Sequence, residues 1–459
     1  MHPLLAPASE PARPVRFVDE EAWPRVAEDL PAPARTFAKA QSFEGKAGTH
    51  CLLPDAHGEL DRVLFGLDGS KAKRADPFLP GKLATLLPDG AYRFEMDPPE
   101  PTLATLAWIL GAYRFDRYKK RPAKAARLVP PEGVDAGEVS RIAEAVAASR
   151  DLINTPAGDL GPDGIEAAAR MLSERYGAAF TSIVGDDLLK RNFPMIHAVG
   201  RASATPPRLI DVTWGRDDHP KVTLVGKGVA FDTGGLNIKP DSSMLLMKKD
   251  MGGAAAAMAL ADMIMGANLP VRLRLLVPAV ENAISGSSFR PGDVLQSRKG
   301  LTVEIGNTDA EGRLILGDAL ALADEESPEL VVDFATLTGA ARVALGPDLP
   351  AFFTEDDELA AAIARCGFAV NDPVWRLPLW PPYAGLLDSR IADVNHIGGP
   401  MAGSITAALF LRRFATQAAS HVHFDLFAWT PKAKPGRPEG GEVQAARLMY
   451  RLLCERYGA

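Results

Sequence analysis

Four acidic side chains, with Lys227, Lys239 and Arg313 among the cations near them, sit in short stretches of a kind that could hold divalent metal ions. The densest stretch is Asn307-Thr308-Asp309-Ala310-Glu311-Gly312-Arg313-Leu314, with two carboxylates two residues apart and an arginine two further on. Taken alone, Asp-x-Glu is most often a solvated acidic turn; what shifts that balance lies upstream. There, Gly226-Lys227-Gly228 leads to Phe231-Asp232-Thr233-Gly234-Gly235 and Lys239, and Met247-Lys248-Lys249-Asp250-Met251-Gly252-Gly253 follows. The glycines let backbone approach a ligand closely. Gathered in one place, Asp232, Asp250, Asp309 and Glu311 would repel one another, and their pKa values would climb unless positive charge entered. Two divalent cations bring four positive charges against four negative ones, which favours a dinuclear site over a mononuclear one. Carboxylate oxygens suit such ions. A metal pair makes a bridging water nucleophilic near neutral pH and polarises a carbonyl. No histidine falls in these stretches and His-Glu-x-x-His is absent, which excludes the histidine-based zinc peptidases. His421 and His423 share one face of a strand, where sheet packing is their expected role.

The elements that must position these residues can be read from apolar spacing. Residues 301–305 read as a strand and 315–326 as a helix, so the octet is a strand-to-helix loop. Further strands are expected at 208–213, 222–225, 271–277, 330–334 and 422–426. Helices are expected at 253–265, 314–326, 404–416 and 443–457. Near-continuous apolar strands separated by helices indicate an α/β fold with a mixed, largely parallel sheet covered on both faces. Ligands gather at the carboxyl ends of such strands, so the three acidic loops are expected along one sheet edge. Residues 138–154 have helical spacing and hold the domain boundary. Residues 1–148 are expected to form an N-terminal α/β domain and 149–459 the catalytic domain. Asp163 is expected to cap a helix that runs to Tyr176, with Gly177 as its stop.

Composition narrows the function classes. A chain of 459 residues with 47% hydrophobic content can build a core in each of two or three domains. Residues 1–150 hold 21 basic and 21 acidic side chains, so of the totals of 51 and 58 the remainder carries 30 and 37, and the whole excess of acid is C-terminal. That excess suits a metal-bearing half and argues against nucleic acid as its substrate. The run Tyr113-Arg114-Phe115-Asp116-Arg117-Tyr118-Lys119-Lys120-Arg121 interleaves aromatic and basic residues. It reads first as a solvated helix end or subunit contact and second as a DNA-binding surface. Cys51, Cys366 and Cys454 are odd in number and far apart, which indicates neither a disulfide framework nor a zinc knuckle. Met1 to Arg16 lacks an apolar core of signal-peptide length, and no membrane-spanning apolar run occurs, so a cytoplasmic protein is expected.

The octet, the Lys227–Gly235 segment and Lys249–Gly253 resemble, in order and separation, the three metal-bearing loops of the cytosolic leucyl aminopeptidase family. Asp151-Leu152-Ile153-Asn154-Thr155-Pro156 is similar to the start of that family's catalytic domain. The resemblance is strong over residues 150–345, moderate to about 425 and weak over the N-terminal third. It implies a macro-domain-like N-terminal fold and a homohexamer. It also implies release of N-terminal residues, with a leucine-like preference, from peptides with a free N-terminus. Asp232 and Glu311 would be shared by two metals, Asp309 would complete the tighter site, and Asp250 with the neutral amine of Lys227 the more labile one. Manganese or zinc, with magnesium or cobalt possible, would occupy them. Lys239 would stabilise the tetrahedral gem-diolate, and Arg313 would hold a bicarbonate anion acting as general base. Thr336, Leu337 and Gly339 would line the substrate cleft, and Met247 the pocket for the first side chain. Lys434 to Glu442 is charged where family members carry a Thr-Gly-rich segment beside the specificity pocket. The charges alone also suit a two-metal phosphoryl-ester hydrolase, although no Gly-x-x-x-x-Gly-Lys-Ser/Thr loop is present.

Overall fold

A computed structural model describes residues 1–69, 75–120 and 126–458. The chain divides into two units, Met1–Ala147 with Lys432–Glu439, and Ala148–Pro431 with Gly440–Ala459. The helix Ala136–Asn154 runs across the division. No helix among the described residues is long and apolar enough to cross a membrane, and the three cysteines are unbridged.

The first unit is built on a five-stranded sheet in the order His50–Pro54, Leu60–Gly66, Arg13–Val18, Gly90–Phe94, Ala126–Leu128. Only the first pairing is antiparallel. Trp108 is fully buried beneath the sheet and donates its indole N–H to the Ala126 carbonyl. In the basic aromatic run, Lys120 meets Asp116 at 3.5 Å in solvent, a contact worth little. Arg121 lies outside the described residues.

The second unit is organised by four parallel strands, in the order Ser420–Asp425, Leu330–Ala335, Lys221–Gly226 and Arg272–Asn282. Arg208–Trp214 and Ala179–Val184 extend one side antiparallel, and Ala351–Phe353 runs antiparallel against Ser420–Asp425 on the other. The sheet is therefore mixed and largely parallel at its centre. All six residues of Leu330–Ala335 are buried, as a strand covered on both faces requires. Its one charge, Asp333, holds two histidines of the neighbouring strand, His423 Nδ1 at 2.5 Å and His421 Nε2 at 2.7 Å. These two histidines thus fasten strand to strand.

Three expectations need correction. The octet follows Thr302–Glu304, which belongs to a separate three-stranded sheet with Val294–Gln296 and Val394–Asn395. Only Val303 of the three is buried, so this short strand has too little apolar surface to enter the central sheet. The three acidic loops therefore do not share one sheet edge. Second, the helix after the octet starts at Glu311 rather than beyond it, so Glu311 and Arg313 lie in its first turn. Third, Gly161 occupies the cap position of the helix Pro162–Tyr176, and Asp163 lies in its first turn, where a negative charge favours the helix dipole. Gly177 ends that helix at φ +64°.

The Lys221–Gly226 strand breaks at a single residue, Lys227, before resuming as Gly228–Asp232. At the break the Lys227 N–H donates to the Phe334 carbonyl, and its own carbonyl accepts from Ala254 N–H at the start of the helix Gly252–Gly266. Helix and sheet meet so closely that a Cβ on Gly253 would lie 2.2 Å from the Phe334 oxygen. Gly253→Ala should therefore lower the melting midpoint at a cost of about 2 kcal/mol. Gly286→Ala, at a position with no atom within 4 Å, should leave it unchanged in the same thermal scan.

Candidate metal centre

The sequence-predicted acidic residues converge. Asp232 ends the Gly228–Asp232 strand, Asp250 lies in the 3-10 turn Met247–Met251, Asp309 in the 3-10 turn Thr308–Ala310, and Glu311 begins its helix. Ligand oxygens of Asp232, Asp309 and Glu311 lie within 4.8 Å of one another. Lys227 Nζ stands 2.7 Å from Asp250 Oδ2 and 3.0 Å from Glu311 Oε1, and donates to the Thr336 carbonyl at 3.1 Å. Lys239 Nζ stands 2.8 Å from Asp232 Oδ2 and 2.5 Å from Asp309 Oδ1.

Electrostatics show how poorly this arrangement is balanced. Burial raises the pKa of Asp232, Asp250, Asp309 and Glu311, and the repulsion of neighbouring carboxylates adds to each shift. Burial also opposes the charge on Lys227 and Lys239, but the surrounding carboxylates outweigh it and hold both pKa values above the ordinary lysine range. Two ammonium groups against four carboxylates leave two formal negative charges. Asp250 Oδ2, Asp309 Oδ1 and Glu311 Oε1 are buried, and among the described residues no donor meets them in good hydrogen-bonding geometry, the lysines facing them as ion pairs. Unsatisfied oxygens from two segments, facing one another, are a donor set suited to hard divalent cations. The centre thus passes the chemical test for such ions.

Hydrogen bonds from outside the four carboxylates fix the geometry. Asn282 Nδ2 donates to Asp232 Oδ1 at 2.8 Å and to the Thr308 carbonyl at 3.1 Å. Thr308 Oγ1 donates to the Gly234 carbonyl at 2.6 Å and accepts from Asn237 N–H at 2.8 Å, locking the octet to the Asp232 loop. Thr336 Oγ1 donates to Asp250 Oδ1 at 2.8 Å. Buried Asp425 accepts from the N–H groups of Leu337 and Thr338 at 3.0 and 3.1 Å, which sets the loop ahead of the helix Gly339–Leu345. A Cβ on Gly312 would lie 2.5 Å from Lys227 Cε, so only glycine lets the helix start this near the lysine. Sequence reasoning missed Asn282, Asp425 and Lys249. Asn282 and Asp425 end strands far along the chain, and Lys249 was overshadowed by its acidic neighbour.

A cavity of about 500 Å³ opens onto the centre. Met247, Thr336, Leu337 and Gly339 line it, as do Lys249, Arg342 and Phe427. Glu311 and Arg313 are not on its lining. Glu442, at the end of the charged C-terminal segment, is buried against Arg150 at 2.8 Å. Arg313 is buried, with Nη1 donating to the His396 carbonyl at 2.6 Å and Nε without a hydrogen bond. Burial lowers its pKa to about 10. Burial likewise draws Lys249 down to about 8.

The catalytic-domain profile of the cytosol aminopeptidase family matches residues 147–450, and the N-terminal-domain profile of the M17 aminopeptidases matches residues 11–131. The chain belongs to the cytosol aminopeptidase family. A probable cytosol aminopeptidase of Roseiflexus castenholzii is 35% identical over 460 residues, covering 93% of this chain and 94% of the relative. The crystal structure of cytosol aminopeptidase from Coxiella burnetii superposes with a TM-score of 0.93 at 46% identity, covering 98% of each chain. The bottromycin maturation enzyme BotP in complex with Mn superposes with a TM-score of 0.87 at 32% identity, covering 97% of this chain and 100% of that one. Membership of this family supports a metallo-aminopeptidase rather than a phosphoryl-ester hydrolase.

The raised carboxyl pKa values fix the sign of a pH effect. Their folded-state values lie above the unfolded ones, so the chelated protein loses this contribution as pH rises through the folded-state range. Metal ions compete with those protons and with the Lys227 proton. The rise in melting midpoint on adding manganese should therefore grow from pH 5 to pH 8, as read by thermal scans of chelated and reloaded protein. A rise of equal size at both ends would show that ions bind away from the titrating groups.

Proposed function

We propose that the chain releases N-terminal amino acids, leucine included, from peptides with a free N-terminus at a dinuclear centre. The observation that carries this reading is the convergence of ligand oxygens of Asp232, Asp309 and Glu311 within 4.8 Å, with Asp232 and Asp309 on the cavity wall. Asp232 and Glu311 would be shared, Asp309 would complete the tighter site, and Asp250 with Lys227 the more labile one. Two divalent ions, manganese or zinc with magnesium or cobalt as substitutes, would supply Lewis acidity for the scissile carbonyl and a nucleophilic water near neutral pH.

The roles of the chain's own groups follow from their positions. Lys227, set between Asp250 and Glu311, would hold the more labile ion as a neutral amine, its proton released to solvent. Lys239 remains an ammonium and faces the negative charge that develops on the carbonyl oxygen. Buried Arg313, with one guanidinium N–H unspent and no carboxylate partner among the described residues, suits a bicarbonate anion that would supply a general base. Met247 flanks the first side chain, and Leu337 and Gly339 flank the peptide. A homohexamer and a cytoplasmic setting complete the proposal, the latter in keeping with relatives named for the cytosol.

Leucine anilide, N-acetyl-leucine anilide and a phosphate monoester, offered to manganese-loaded protein, test the reading. Only the first should be cleaved; turnover of the ester alone would overturn the proposal. Asp309→Asn should abolish tight metal binding and nearly all activity. Lys239→Ala should keep its metal and lose about 10² to 10³ in kcat. Equal metal loss in the two variants would contradict the division of roles.

A further inference from the structure

Two cations on the cavity wall are left unused by the metal chemistry. Lys249, one residue before Asp250, is only 6% exposed, and its ammonium forms no hydrogen bond or ion pair among the described residues. Its Nζ instead lies 4.8 Å from the centroid of the Phe427 ring. Arg342 lies over the same ring, with Cζ 5.3 Å from the centroid, and it too has no carboxylate partner among the described residues. Two carboxylates act on Lys249 electrostatically, and both are committed elsewhere. Asp250 faces Lys227 and Thr336, and Asp425 holds the Leu337 and Thr338 backbone.

Lysine is almost never buried without a partner, because desolvating an ammonium is costly. The ring face offsets part of that cost but leaves three N–H donors unspent. Lys227 and Lys239 spend theirs on acidic residues, whereas Lys249 lines the cavity with Met247, Thr336 and Gly339. A desolvated cation beside an aliphatic flank matches a short side chain that ends in a carboxylate.

We infer that Lys249 is a specificity-determining residue that selects peptides beginning with glutamate or aspartate over those beginning with leucine. Arg342 reinforces the selection from the more exposed side of the ring. The inference rests on the aminopeptidase reading and narrows its substrate class. The carboxylate is that of the first side chain, not the C-terminal carboxylate of a short peptide.

Glutamate, aspartate and leucine anilides test this, because an anilide carries no second carboxylate. The kcat/KM ratio of glutamate to leucine should be about tenfold or more in the parent chain. It should fall below one in Lys249→Met, stay above one in Lys249→Arg, and fall by a smaller factor in Arg342→Gln. Because each ratio is taken within one variant, a general loss of fold or metal cancels from it. A ratio below one in the parent, or a ratio untouched by Lys249→Met, would overturn the inference and leave the aminopeptidase reading intact. So would a carboxylate effect seen only when free leucyl dipeptides are compared with their amides. Cleavage of none of the three anilides would sink both.

Discussion

Mutual repulsion among four buried carboxylates is the constraint on which this structure turns. Asp232, Asp250 and the Asp309–Glu311 pair come from three separate loops, and burial raises the cost of every charge among them. Lys227 and Lys239 offset half of the formal charge at most. Holding such a cluster together requires scaffolding that does not depend on the charges. The chain supplies it through Asn282, Thr308 and Thr336, which hydrogen-bond the acidic residues or the loops that bear them. The fully buried Leu330–Ala335 strand stands behind them, tied to its neighbour through Asp333 and two histidines.

Close approach of backbone is the second requirement. Lys227 can point into the cluster because the strand breaks there and trades its backbone hydrogen bonds to Phe334 and Ala254. Gly253 and Gly312 let two helix starts come up against that break. Helix N-termini carry partial positive charge, so the placement of Glu311 at the first helical residue moderates the repulsion it enters. The same crowding leaves Lys249 on the cavity wall with no carboxylate partner among the described residues, which would tie substrate choice to the architecture of the acidic loops.

Much of this was legible in the sequence, for physical reasons. Continuous apolar runs such as 222–225 and 330–334 announce strands covered on both faces, and acidic residues flanked by glycine announce ligand loops. The octet was placed correctly between a strand and a helix but on the wrong sheet, because three residues of strand carry too little pattern to say which partners they join. Asp163 has the chemistry of a cap, yet Pro162 fits the first helical position so well that the cap moves to Gly161. Asn282 and Asp425 act through side chains at strand ends, where local spacing gives no sign of a partner dozens of residues away. Lys249 adjoins a stronger signal, and its isolation shows only once the carboxylates around it are seen to be engaged.

Anomalous diffraction from manganese-soaked crystals tests most directly whether doubly charged ions are what reconciles these acidic groups. Two peaks are expected, bounded by Asp232, Asp250, Asp309 and Glu311, with the Lys227 amine no longer pairing with both Asp250 and Glu311 as a counter-ion. An absence of peaks there, with both lysines still seated on the carboxylates at saturating manganese, would contradict that role for the ions.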